Sequence, residues 1–209
     1  MKVDIIRGSI GVRELYSFDA KMITNNLITW ISNWFEINGC ECNAVVGISG
    51  GKNSSVCAAL CSEALGKNRV IGVIMPNLKQ DDIGDSYQLI RHLGIKSYLV
   101  PISVAVGGIY NQIKYAGINI SDESVINLPS WIRMSVLYAV SQSVNGRVIS
   151  TCSLSERRAW RLLGEDMGEV TPLGRLTIQE VEAIGNELGL PNNLVYKMPS
   201  NDPHTKRRR

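Results

Sequence analysis

The sequence predicts an α/β fold, a doubly wound parallel sheet with helices on both faces, within a single domain over residues 1–209. Three observations predict it. Strand-like runs at residues 45–48, 70–75, 96–101 and 147–150 are short and rich in Val, Ile, Leu and Tyr, as in strands buried within a parallel sheet. Segments with apolar residues at helical spacing lie between them, the alternation that builds such sheets. Glycine and proline (Gly66, Pro76, Gly94) punctuate the joints.

Each element follows in order. Ala20, Ile23, Leu27, Trp30, Ile31, Trp34 and Phe35 mark one face of a helix over residues 20–37. The first strand, 45–48, leads to a helix over 54–65 that Gly66 closes. The second strand, 70–75, stops at Pro76-Asn77, and a helix over 82–93 closes at Gly94. Residues 96–101 form the third strand, 103–115 a helix and 129–144 a long helix. The fourth strand is 147–150, and a late helix over 177–188 opens with Thr177 as N-cap and Glu180 at the capping-box position. Residues 49–55, 75–80 and 151–156 each follow a strand. In a parallel sheet they gather at the carboxyl edge, where ligands bind.

Composition narrows the class. At 44% hydrophobic and 20% charged residues, the chain has an ordinary globular balance and enough length to bury a core. No apolar run reaches the roughly 20 residues that span a bilayer, and Met1 to Gly8 lacks a signal-peptide core. A cytoplasmic protein is the expectation. Five cysteines (Cys40, Cys42, Cys57, Cys61 and Cys152) with two histidines give neither a disulfide framework nor a zinc pattern. The net charge is +3, and Lys206-Arg207-Arg208-Arg209 supplies four positive charges. Basicity is therefore a property of the tail, residues 201–209, which is expected to be flexible. No nucleic-acid partner is expected from the nearly neutral body.

The loop after the first strand is the most informative stretch: Val45-Val46-Gly47-Ile48-Ser49-Gly50-Gly51-Lys52-Asn53-Ser54-Ser55-Val56. A buried strand turns through two glycines into a helix N-terminus, where unpaired N–H groups and the helix dipole attract anions. Gly50 and Gly51 permit positive φ and close approach of backbone to phosphate. The Walker pattern fails, because Val46 and Asn53 occupy positions needing Gly and Ser or Thr. The dinucleotide Gly-x-Gly-x-x-Gly fingerprint fails as well, for want of a third glycine in register.

What remains resembles the Ser-Gly-Gly-x-Asp-Ser loop of the ATP pyrophosphatase superfamily. Further blocks resemble ammonia-dependent NAD synthetase, in order along nearly the whole chain. They include Arg69-Val70-Ile71-Gly72-Val73-Ile74-Met75-Pro76-Asn77, Asn127-Leu128-Pro129, Asn145-Gly146-Arg147-Val148-Ile149, Thr151-Cys152-x-Leu154-Ser155-Glu156 and Leu188-Gly189-Leu190-Pro191. The resemblance implies an enzyme that joins deamido-NAD and ammonia at the expense of ATP, through an adenylated carboxylate. It implies ATP contacts at Gly47, Ser49, Gly50, Gly51, Asn53, Ser54, Gln80, Thr151 and Ser200. Arg133 and Glu169 would meet deamido-NAD, and Glu156 and Asn53 would hold Mg²⁺. It singles out no catalytic side chain, and it implies a homodimer.

The departures from the family concentrate on the chemistry. Asn53 stands where the family has a metal-binding aspartate, so an oxygen ligand remains but a charge is lost. Trp131 stands for a substrate arginine, Leu162 for a substrate lysine, Ile178 for an ATP lysine, Glu169 for an aspartate and Ser200 for a threonine. Arg158 and Arg161 are candidate replacement cations. These changes leave two readings open, a ligase (working or impaired) and a nucleotide-binding scaffold without turnover. A third reading, another ATP pyrophosphatase such as a tRNA-modifying enzyme, is less favoured by the nearly neutral body. The helix over 129–144 carries apolar residues all round (Trp131, Ile132, Met134, Val136, Leu137, Tyr138, Val140), which suits burial on two sides, in a dimer as the expected reading or in a central core helix as the alternative.

Overall fold

The computed structural model describes residues 18–78, 80, 82–154, 156 and 168–197. Helix α1 (Ala20–Gly39) starts where the Asp19 carboxylate accepts the Met22 N–H at 2.9 Å, an N-cap of the usual kind. Strand β1 (Asn43–Gly47) runs into α2 (Lys52–Leu65), which ends at Gly66 with φ 80°. Strand β2 (Val70–Ile74) is buried along its whole length. It leads to α3 (Ile83–Leu93), which ends at the left-handed Gly94, then β3 (Lys96–Leu99) and α4 (Ser103–Tyr115). Helix α5 (Asp122–Ser143), strand β4 (Gly146–Ile149), helix α6 (Ile178–Glu187) and the short α7 (Asn192–Val195) complete the described elements. None of the described helices is long and apolar enough to cross a membrane.

The four strands are parallel, in the order β3-β2-β1-β4. Side chains alternate between two cores. Ala44, Val46, Val70, Ile74 and Ile149 face the core shared with α1, α2, α3 and α6. Val45, Ile71, Val73 and Val148 face the core under α4 and α5. The doubly wound sheet that the sequence predicts is thus the observed one. Because β2 and β3 extend to one side of β1 and β4 to the other, the chain reverses direction between β1 and β4. A crevice opens at such a switch point, beyond the carboxyl ends of the strands.

Most boundaries fall within two residues of the sequence reading. Strand β3 ends at Leu99 rather than at residue 101. The larger difference is α5, which starts seven residues before Pro129 and carries that proline in its interior. Proline suits a first turn and lacks the donor for an interior one, which is why the sequence points to a start at 129. The real start is made by Ser121, whose side chain accepts the Ser124 N–H at 3.2 Å, with Asp122 and Glu123 in the first turn facing the positive end of the dipole. Leu128 and Pro129 are both buried, and that packing offsets the missing hydrogen bond. At α6 the sequence reading holds: Thr177 and Glu180 form the full capping box.

Candidate nucleotide-binding site

The loop after β1 is built as its residues require. Gly50 adopts φ +74°, a conformation that costs any side chain strain. A Cβ there would also sit 3.0 Å from Asp85 Cβ and 3.0 Å from the Ser86 amide nitrogen, so the loop rests directly on the first turn of α3. Gly51 caps α2 without a side-chain hydrogen bond, which leaves the first turn of that 14-residue helix for an anion to cap. Inside the loop, Ser49 and Ser54 pair through their hydroxyls at 3.1 Å. The Gly51 N–H donates to Ser49 Oγ at 3.3 Å, and the Ser54 and Ser55 hydroxyls donate to the Gly51 carbonyl at 3.0 and 2.9 Å. The serines therefore hold the shape of the loop.

Across the switch point, the segment after β4 meets this loop. Asn53 Nδ2 donates to Glu156 Oε2 at 2.6 Å, and Ser153 donates to the same oxygen through its N–H at 3.2 Å and its hydroxyl at 3.3 Å. The two residues expected to share a metal are thus in contact, one carboxylate and one amide. Both offer hard oxygen ligands of the type Mg²⁺ takes beside phosphates, so the residues present fit that ion. Gly47, Thr151 and Cys152 line a cleft beside them with Met134, Leu137, Ile149 and Ser150. Gly47 has a second reason to be glycine, since a Cβ would approach Leu137 and Met75 to 3.3 Å.

The other predicted residues divide. Gln80 hydrogen-bonds the Asp82 side chain just before α3, on the same edge as the loop. Arg133 reaches that edge too, donating from Nε to the Met75 carbonyl at 3.2 Å, while Trp131 on the same helix is 43% exposed. Glu169 is held elsewhere: it accepts the Val148 N–H at 3.3 Å and lies 3.5 Å from Arg147 Nε, so it runs alongside β4 instead of beyond its end. The backbone of β4 and Arg147 are thus the partners of its carboxylate in this structure. Ser200, Arg158, Arg161 and Leu162 lie outside the described residues, and so does the tail. Ile178 begins α6 and is 43% exposed.

Two features were not read from the sequence. Lys52, beside the glycines, forms an ion pair with Glu182 of α6. Lys197 bridges Asp82 at 2.7 Å and Asp85 at 2.6 Å. Burial opposes the Asp82 charge, but hydrogen bonds from Lys197 and Gln80 and the Lys197 charge outweigh it, so its pKa lies below the ordinary carboxylate value. Burial likewise opposes the Lys197 charge, and the two aspartates outweigh it, raising its pKa. Among the cysteines, burial pushes the Cys61 thiol up to about 12 and raises Cys57 well above its ordinary value, with Cys61, Cys152 and Glu156 adding to the effect. These thiols stay protonated, and no group of three or more His, Cys, Asp and Glu among the described residues could hold a metal.

Comparison with known proteins agrees with this geometry. Residues 23–207 match the NAD synthase family. The chain is 30% identical over 158 residues to the NH(3)-dependent NAD(+) synthetase of Pyrococcus furiosus, an alignment covering 75% of this chain and 60% of that protein. The chain thus spans less than two thirds of that relative. Among solved structures, NMN synthetase from Francisella tularensis superimposes with a TM-score of 0.76 at 27% identity, covering 88% of this chain and 76% of that one. The NH3-dependent NAD synthetase of Campylobacter jejuni gives a TM-score of 0.75 at 28% identity, covering 86% and 78%. A match that begins within α1 and runs past α7, on a sheet whose switch point carries the glycine loop, means that the chain belongs to the NAD synthase family.

Proposed function

We propose that the chain is an ATP-dependent amide ligase that converts deamido-NAD and ammonia to NAD. The observation that carries this reading is the 2.6 Å contact between Asn53 and Glu156, which joins the phosphate loop to the segment after β4 in a member of this family. In the proposed reaction the nicotinate carboxylate attacks the α-phosphorus of ATP, the bond to the bridging oxygen breaks, and pyrophosphate leaves. Ammonia then attacks the adenylated carbonyl carbon, gives up a proton and expels AMP.

The chain's own groups have assignable tasks in that sequence. The N-terminal amides of α2, shaped by Ser49, Gly50, Gly51 and Ser54, would take the oxygens of the departing pyrophosphate. Gln80 and Thr151 would flank the nucleotide, and Arg133 would supply positive charge on the α5 side of the edge. Glu156 and Asn53 would hold Mg²⁺. When bound, the ion would neutralise charge on the leaving pyrophosphate. Asn53 brings no charge of its own, so the pair contributes one formal negative charge, which favours uptake of the ion together with ATP over uptake of free Mg²⁺.

Titration calorimetry with Mg·ATP, with and without deamido-NAD, followed by an ammonium-dependent assay for AMP and NAD, tests the proposal. Equal yields of AMP and NAD, both requiring ammonium, are the expected result. ATP binding with no response to deamido-NAD and no AMP would replace the ligase with a nucleotide-binding protein.

A further inference from the structure

One ammonium group ties together two parts of the nucleotide site that are far apart in the chain. Lys197 follows α7, which is anchored by the fully buried Leu194 and Val195. Its side chain is 16% exposed, and its Nζ lies between Asp82 and Asp85, at 2.7 and 2.6 Å. Asn193, four residues earlier, also donates to Asp85, at 3.4 Å. Asp82 is the N-cap position of α3 but makes no side-chain cap there, so its carboxylate is committed to Lys197 and Gln80. Asp85 backs directly onto Gly50, and the adjoining Ser86 is fully buried with its hydroxyl donating to the Ile48 carbonyl at 3.4 Å.

Asp85 therefore packs against the loop that is to receive a polyphosphate, and Asp82 joins it through their shared ammonium group. Left alone, the two carboxylates would repel the polyphosphate, since like charges at short range through protein interact far more strongly than in water. Lys197 cancels one of the two charges and pins the turn that carries Gln80. We infer that Lys197 is a positioning residue of the nucleotide site, shielding the phosphate loop from Asp82 and Asp85 and fixing Gln80 beside it. The inference rests on the reading of that loop as the ATP site.

The test is Mg·ATP affinity by calorimetry, with thermal unfolding as the control for folding. Lys197→Met should weaken ATP binding about tenfold, as loss of one compensating charge beside a polyanion predicts. Lys197→Arg should stay within about threefold of the wild type, because it keeps the charge and the two-pronged contact. The decisive variant is Lys197→Met combined with Asp85→Asn, which should recover most of the lost affinity although the tether is still broken. A tether that merely stabilises the fold would lower the melting temperature in both variants and recover nothing. Should Lys197→Met fail to fold, Asp85→Asn alone reads the same field and should tighten ATP about threefold. Wild-type affinity in Lys197→Met, no recovery in the double variant, or no tightening in Asp85→Asn would overturn the inference and leave the proposed function standing. A wild-type protein that binds no ATP would overturn both.

Discussion

At the scale of single residues, Gly50 carries the sharpest constraint. Its positive φ strains any side chain, and a Cβ would lie only 3.0 Å from both the Asp85 side chain and the Ser86 backbone of α3. Gly50→Ala should cost about 1–3 kcal/mol of stability, the usual range for strain of this type, and should abolish ATP binding. Denaturant unfolding and calorimetry on the same sample check both. The Lys197 tether makes a pH prediction as well. Asp82 has a lowered pKa, so its contribution is present above the ordinary value of 3.8 and fades as the pH falls through its folded value. Lys197 has a raised pKa, so its contribution is present below 10.5 and fades as the pH rises through its folded value. The melting-temperature gap between wild type and Lys197→Met should therefore be widest between these limits and close beyond either. A gap that stays constant from pH 3 to 11 would mean that the charges do not stabilise the fold. The glycine loop was legible because its conformational demand is written in residue type. The ion pairs of Glu169, Lys52 and Lys197 were not legible because their partners are set by packing.

Among the elements, α4 and α5 present the feature that the sequence half revealed. The apolar character of α5 suggested burial on two sides, and the chain itself supplies one. Ile132 and Leu137 face the core, whereas Trp131 is 43% and Tyr138 37% exposed. Helix α4 contains no buried residue and exposes Val104 and Tyr115 at 87% and 82%. We propose that this face packs against its copy in a second chain, as apolar surface spread over two adjacent helices favours. Light scattering at micromolar concentration should report twice the chain mass, and Val104→Asp should shift the protein toward monomer. A wild-type monomer at that concentration would remove the dimer. The start of α5 shows where local signals compete: Pro129 is the loudest local sign of a helix start, yet Ser121 with its acidic first turn makes the start.

For the molecule as a whole, the alternation of strands and helices was enough to read a doubly wound sheet, and the positions of the loops were enough to read the edge at which they gather. The strand order β3-β2-β1-β4 then explains why those loops meet: the reversal at β1 and β4 opens the crevice in which Asn53 touches Glu156, 103 residues apart. Periodicity and motif spacing are local signals. They carry no information about pairs such as Lys52 and Glu182, separated by 130 residues, and the electrostatic finish of the site lies in those pairs.

The position of Lys197 also sets an order in time. It is 115 residues downstream of Asp82, and a ribosome adds about 5–20 residues per second. In a nascent chain Asp82 emerges roughly 6–23 s before the lysine that shields it, and the glycine loop earlier still. During that interval the growing protein carries the loop and the two aspartates without their counter-charge, so the tether is among the last contacts that this end of the sheet can make.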